Sequence, residues 1–241
     1  MEQDFLSNIE LYYSNSKIEN NCIIISDEEA KHILRVMRHT VGDKLFVTDG
    51  EGSIFETEII VCEKKTVTCK IEKTILYKKE YPQILFCLPR LRNQDRFEFA
   101  LEKCIELGIT EFIVYEADRS VSKGEKLDRW NKIALAAMKQ SLRAFNPNIK
   151  FAKRLSDLKE TNQVKILFDQ NAEMCLTDFV LNDLKTNKGE LVFIFGPEGG
   201  LSENEFKLFE DSKNLFLTKN RLRAETAIIT TASVISNLLN S

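Results

Sequence analysis

Leu191-Val192-Phe193-Ile194-Phe195-Gly196-Pro197-Glu198-Gly199-Gly200-Leu201-Ser202-Glu203-Asn204-Glu205 decides the fold. The apolar run Leu191 to Ile194 has the composition of a strand buried on both faces. Three glycines and a proline follow within five residues. Without side chains, that loop lets backbone N–H and C=O groups come close to a ligand. Ser202 and Glu205 then form a capping box, the start signal of a helix. The plain alternative is an ordinary strand-to-helix turn. A second segment, Leu217 to Ala227, also closes a short strand and opens a helix, with Arg223 and Glu225 two residues apart. Together the two segments predict a cofactor pocket at the carboxyl ends of parallel strands.

Outward from these segments the pattern is strand–helix alternation. Apolar strands begin near Ile84, Phe112, Val164, Leu191 and Asn214, and helices fall near 94–107, 128–145, 173–185, 203–210 and 225–239. Glu106-Leu107-Gly108 ends the first of these helices with glycine just past its last turn. Such alternation implies a parallel sheet covered on both faces.

Residues 1 to about 75 read differently. Val67, Cys69 and Ile71 alternate with polar neighbours, the period of a half-buried strand. Lys44–Thr48 and Ser53–Ile60 flank Asp49-Gly50-Glu51-Gly52, a hairpin turn. Ser26 and Glu29 fit a capping box for one helix running to about His39, with Ile33, Val36 and Met37 facing inward. Short strands with one helix predict a small β-barrel. Lys78-Lys79-Glu80-Tyr81-Pro82 reads as the linker. The expected domains are therefore 1–75, a β-barrel, and 76–241, an α/β domain.

Composition limits the chemistry. The 241 residues are 43% hydrophobic and carry a net charge of −3, so no global positive field attracts nucleic acid. RNA binding would rest on local basic patches. The six cysteines contain no CxxC pair and several sit in apolar runs, as reduced structural residues do. Met1-Glu2-Gln3-Asp4 does not open a signal peptide, and no stretch approaches the roughly 20 apolar residues of a membrane span. The expected location is cytoplasmic, with no membrane contact.

Lys31, Arg35 and Arg38 are spaced i, i+4, i+7, with His32 and His39 beside them, a stripe suited to phosphates or simply to solvent. Arg90, Arg92 and Arg96 form a second basic group, followed by Arg119 and Arg143. The two histidines lack a metal-ligand constellation, and no metal is expected. No Ser-His-Asp or Cys-His arrangement is visible. Neither a dinucleotide fingerprint nor a P-loop is present, which removes support from dehydrogenase and kinase-like readings. Glu225 suits a helix N-terminus, whereas Arg223 there is electrostatically unfavourable. An anionic ligand or a nearby carboxylate would repair this.

These motifs, in this order, resemble the RsmE family of 16S ribosomal RNA uracil-N3 methyltransferases, within the SPOUT class. The resemblance covers nearly the whole chain. It runs through His32-Ile33-Leu34-Arg35-Val36-Met37-Arg38, Val41-Gly42-Asp43, Asp49-Gly50-Glu51-Gly52, Lys103 with Glu106-Leu107-Gly108, Arg119-Ser120, and Gln140-Ser141-Leu142-Arg143 with Pro147. It ends on Gly196-Pro197-Glu198-Gly199-Gly200 and Leu222-Arg223-Ala224-Glu225-Thr226-Ala227. Departures from the family pattern fall at Asn93, Lys139, Thr218 and Asn220.

The resemblance implies an α/β domain closed by a C-terminal trefoil knot, an N-terminal PUA-like barrel that binds RNA, and a homodimer. It implies S-adenosylmethionine held by Phe195, Gly196, Pro197, Glu198, Gly199, Gly200, Leu217, Leu222, Thr226 and Ala227. Lys31, His32, Arg35, Arg38, Arg92, Arg119 and Arg143 would contact RNA. Arg223 and Glu225 would serve catalysis at N3 of a uridine in the decoding region of the 30S subunit's 16S RNA. Rival readings are a SPOUT methyltransferase of another RNA, a non-catalytic ribosome-assembly factor, and a small-molecule methyltransferase.

Overall fold

The structure, a computed structural model, describes residues 9–79, 84–158, 163–184 and 190–239. Residues 1–4, part of the expected linker 78–82 and the last residue of the expected 173–185 helix lie outside these. The chain separates into two compact units, residues 1–79 with 138–146, and 80–137 with 147–241.

In the first unit β1 (Leu11–Tyr13), β2 (Cys22–Ser26), β3 (Lys44–Thr48), β4 (Ser53–Cys62) and β5 (Thr66–Leu76) form one sheet in the order β1-β3-β4-β5-β2. Among the described residues of this unit, only β1 and β3 pair in parallel. Register shifts at Glu56/Thr57 and Ile59/Val61 mark where β4 bends, and such bulges add the twist that curls a sheet. The expected alternation holds: Val67 and Cys69 are fully buried and Ile71 nearly so, against Tyr12, Ile23, Ile25, Val47 and Ile59.

The helix of this unit departs from expectation. α1 (Asp27–Lys31) is followed by a π-helical turn over His32–Val36, and helical structure stops well short of His39. A π turn widens the helical period. Ile33 stays buried, but Val36 and Met37 swing outward to 64% and 43% exposure; Leu34 packs on the core instead. The capping box does not form. Ser26 makes no cap bond, and Glu29 turns to Tyr13, whose backbone N–H donates to it at 3.0 Å.

The 49–52 turn receives the returning segment 138–146. Gly50 O accepts from Asn146 N, and Gly52 N donates to Ala144 O. Gly52 has φ +113°, and a Cβ there would lie 2.8 Å from the Phe145 ring. Only glycine fits both demands.

The second unit is a seven-stranded sheet. It contains β6 (Ile84–Pro89), β7 (Glu111–Tyr115), β8 (Asn148–Ala152), β9 (Val164–Phe168), β10 (Met174–Cys175), β11 (Leu191–Ile194) and β12 (Lys213–Phe216). Their order is β10-β12-β9-β11-β6-β7-β8, and every pairing is parallel. β8 and β10, the two edge strands, lie outside the predicted set: β10 has only two residues, and β8 carries Asn148 and Lys150 exposed among its five instead of an apolar run. The helices are α2 (Gln94–Glu106), α3 (Leu127–Gln140), α4 (Leu176–Phe179, continued by a π turn to Leu184), α5 (Glu203–Lys207) and α6 (Ala224–Leu239). α3 ends five residues before the predicted 145, and Leu142 lies in the left-handed region at φ +55°. The glycine stop of α2 is present, with Gly108 at φ +93°.

Candidate active site at the carboxyl ends of the central strands

β11 is buried along its whole length, with Leu191, Val192, Phe193 and Ile194 all at 2% exposure or less. It delivers the glycine loop to the carboxyl end of the sheet. Tyr115 Oη donates to Phe195 O at 2.5 Å, and burial pushes this hydroxyl's pKa well up, so it remains a donor. Gly200 N donates to Pro197 O at 2.8 Å, closing a tight turn. A Cβ on Gly196 would press to 3.3 Å from Leu201 N, and Gly200 lies at φ +71°. The loop is therefore folded back on itself, with Glu198, Gly199 and Gly200 exposed. The capping box behind it forms: Glu205 N donates to Ser202 Oγ, and Ser202 N to Glu205 Oε2.

Neighbouring loops brace this turn. Arg119 Nη1 donates to Gly199 O at 3.0 Å, and Arg92 N donates to Glu198 Oε1 at 3.1 Å. Ser202 Oγ donates to Asp118 Oδ2 at 2.6 Å, while Asp118 N donates to the nearly buried Glu205. Thus Arg92, through its backbone N–H, and Arg119, through its guanidinium, both expected to contact RNA, bond to the glycine loop itself.

The sheet order explains how two segments distant in sequence share one mouth. β9 lies between β11 and β12. The loop 195–200 leaves β11, and residues 217–223 leave β12, on the two sides of the β9 terminus. Phe168 closes β9 with its ring stacked on Phe195, centroids 5.1 Å apart. Asp169 then takes Asn171 N on its side chain, turning the chain away. The sequence reading missed this third wall. Its signal was the apolar run from Val164 to Phe168 followed by Asp169.

Among the predicted residues of the second segment, Leu217, Leu222 and Ala227 are half-buried, and Thr226 is exposed. Thr218 Oγ1 donates to Asn220 O at 2.7 Å, ordering the turn where the chain departs from the family pattern. Arg223 is exposed, and its side chain makes no hydrogen bond or ion pair among the described residues. Glu225 is paired elsewhere: Arg96 Nη1, in the first turn of α2, lies 3.5 Å from its Oε1.

The basic group Arg90, Arg92 and Arg96 is thereby split three ways. Arg90 is only 3% exposed, its guanidinium 5.1 Å from the Trp130 ring centre and 5.6 Å from that of Phe97. Burial pulls its pKa below the ordinary value, against the attraction of Glu116 and Glu98. It supports the sheet end rather than facing solvent.

Lys31, His32, Arg35, Arg38 and Arg143 belong to the first unit. Arg35 and Arg38 are exposed, Lys31 pairs with Glu28, and His32 Nε2 lies 3.1 Å from Glu10. The π turn means the i, i+4, i+7 spacing no longer sets a single face. Among the described residues no helix is long and apolar enough to cross a membrane, and no group of three His, Cys, Asp or Glu could hold a metal.

A parallel sheet with a glycine loop and two helix N-termini at its carboxyl edge has the arrangement of a ligand-binding α/β protein. Family comparison narrows this. Residues 78–236 match the RNA methyltransferase domain, and residues 25–72 match the RNA methyltransferase PUA domain. The chain belongs to the RNA methyltransferase family.

Relatives agree. The ribosomal RNA small subunit methyltransferase E of Bacillus subtilis is 29% identical over 88% of each chain. A crystal structure of a predicted RNA methyltransferase from Thermotoga maritima is 31% identical, covers 95% of this chain and 97% of its own, and superposes with a TM-score of 0.73. A Neisseria gonorrhoeae ribosomal RNA small subunit methyltransferase E, solved bound to S-adenosylmethionine, shares the fold at 24% identity and a TM-score of 0.82, covering 96% of this chain and 98% of that one. The resemblance drawn from the motifs is borne out.

Proposed function

We propose that the protein methylates N3 of one uridine in the decoding region of 16S ribosomal RNA, with S-adenosylmethionine as donor. The observation that carries this reading is the mouth formed where β11 and β12 release residues 195–200 and 217–223 on either side of β9. The residues present suit the donor. The turn at Gly196 to Gly200 exposes backbone where a Cβ at Gly196 would meet Leu201. Phe195 to Gly200, Leu217, Leu222, Thr226 and Ala227 would hold the donor, mostly through backbone groups.

When bound, S-adenosylmethionine supplies an electrophilic methyl group whose bond to sulfur breaks as the bond to N3 forms. The chain's own residues must do the rest. Uracil N3 carries a proton at neutral pH and is a poor nucleophile until it leaves. Arg223, exposed and unpaired among the described residues, would stabilise the charge that develops on O2 or O4. Glu225 would accept the N3 proton. N3 lies on the Watson–Crick edge, so the base must be unpaired or flipped out.

The curled sheet of the first unit, with Lys31, His32, Arg35, Arg38 and Arg143, would act as the RNA-binding PUA-like domain, and Arg92 and Arg119 would reach RNA beside the glycine loop. The active form would be a cytoplasmic homodimer acting on the 30S subunit or its RNA.

Mass spectrometry of small-subunit RNA from cells lacking the protein tests the assignment: one methylated uridine should be missing, and its persistence rejects the reading. Arg223→Ala should abolish transfer while the calorimetric affinity for S-adenosylmethionine falls far less. Equal loss of both would make Arg223 a pocket residue rather than a catalytic one.

A further inference from the structure

We infer that Arg96 is the positioning residue for Glu225, taking one carboxylate oxygen so that the other faces the uridine proton. The inference rests on the N3-methylation reading above.

Three observations converge on it. Arg96 Nη1 lies 3.5 Å from Glu225 Oε1, and the Glu225 side chain is only 12% exposed. Glu225 Oε2 is buried and has no hydrogen-bond partner among the described residues. α2 packs against α6, so the two side chains project from the opening turns of helices that are fixed against each other.

Arg96 is out of place by local rules. It is the third residue of α2, where the helix dipole disfavours a cation, and its backbone N–H is already taken by the Asn93 cap at 3.1 Å. A carboxylate from the neighbouring helix removes that penalty. Glu225, at the second residue of α6, is favoured by its own helix dipole. The pair therefore fixes the direction of the Glu225 side chain without using its second oxygen.

A buried acceptor without a donor is costly and rare in a folded protein. This one lies in the Leu222–Ala227 segment, beside the residues that would hold the donor. A ligand N–H satisfies it. In the proposed step the uracil N3–H bond breaks, the proton passes to Glu225 Oε2, and the electron pair stays on N3 for the new bond to carbon. Solvent later takes the proton. A carboxylate free to rotate would meet N3–H only part of the time, and orientation losses of this kind are large in catalysis.

The experiment uses the full-length protein with purified small subunits lacking the modification. Methyl transfer is measured alongside calorimetric binding of S-adenosylmethionine for wild type, Arg96→Gln, Arg96→Lys and Glu225→Gln. Arg96→Gln should lower kcat about 10- to 100-fold while donor affinity stays within about twofold. Arg96→Lys should recover most of the loss, because a lysine ammonium can still hold Oε1. Glu225→Gln should be at least as impaired as Arg96→Gln.

An Arg96→Gln kcat within about twofold of wild type overturns the inference and leaves the function standing. So does a loss of donor affinity equal to the loss of rate, which would assign Glu225 to the donor's ammonium group. A wild-type protein that binds the donor yet leaves the uridine unmodified overturns both the inference and the function beneath it.

Discussion

Lys139 is one of the positions where the sequence departs from the motif pattern it resembles, and its neighbours show what it does there. Its ammonium lies 2.8 Å from both oxygens of Glu29, and Oε1 of that carboxylate also accepts from Tyr13 N. With side chains 24% and 18% exposed, this pair is worth more than a surface salt bridge. It joins the returning segment 138–146 to α1 and β1. Removing Glu29 strands both a half-buried cation and a backbone donor. Glu29→Ala should destabilise the protein by about 1–3 kcal/mol in urea unfolding. Lys139→Met, which leaves Glu29 its bond to Tyr13, should cost less than Glu29→Ala; no cost at all would show that the pair is idle, and equal costs that the bond to Tyr13 adds nothing. The sequence displayed Glu29 as a helix-capping candidate, and local pattern could say no more. Its actual partners are 16 and 110 residues away.

At the scale of elements, α5 shows how much a short helix depends on its ends. It spans five residues, too few to be stable by propensity alone. Ser202 caps Glu205 N at 3.1 Å and also reaches Asp118 at 2.6 Å, tying the helix start to the loop that follows β7. Ser202→Ala should cost about 1–2 kcal/mol in thermal unfolding, and it should weaken S-adenosylmethionine binding, because the glycine turn is braced from the same side. Unchanged donor affinity would show that the turn holds itself. This capping box was legible because both partners lie within one turn. The box at Ser26 carried the same letters and failed: Asp27 adopts φ +54°, and Glu29 finds a better partner in Tyr13. The same limit explains the helix after it. A π turn is invisible to a 3.6-residue template, so the period assigned Val36 and Met37 to the core, and packing placed them in solvent.

For the whole molecule, the cysteines test the layout of the two cores. Cys69, Cys87 and Cys104 are fully buried, Cys62 is exposed, and Cys22 and Cys175 lie between. Burial pushes the Cys69 thiol up to about 11, and those of Cys87 and Cys104 well above the ordinary value. Thiolate is the reactive form, so these three are protected twice, by access and by ionisation. Ellman's reagent at pH 8 should titrate Cys62 rapidly, Cys22 and Cys175 more slowly, and the other three only after unfolding. Rapid reaction at Cys87 or Cys104 in the native protein would contradict the packing described for the parallel sheet.

The sequence by itself determined the strand–glycine loop–helix unit at 191–205, the parallel α/β organisation and the mainly β character of the first 75 residues. Each is written in neighbours a few positions apart: a buried strand, glycines, a capping pair, a period of two. Only the tertiary structure decided that β9 separates β11 from β12, that Phe168 walls the mouth between them, and that Glu225 faces Arg96. Those facts depend on strand order and helix packing, which bring together residues from tens of positions apart, as Phe168 and Phe195, to more than a hundred, as Arg96 and Glu225, through contacts that no local periodicity records.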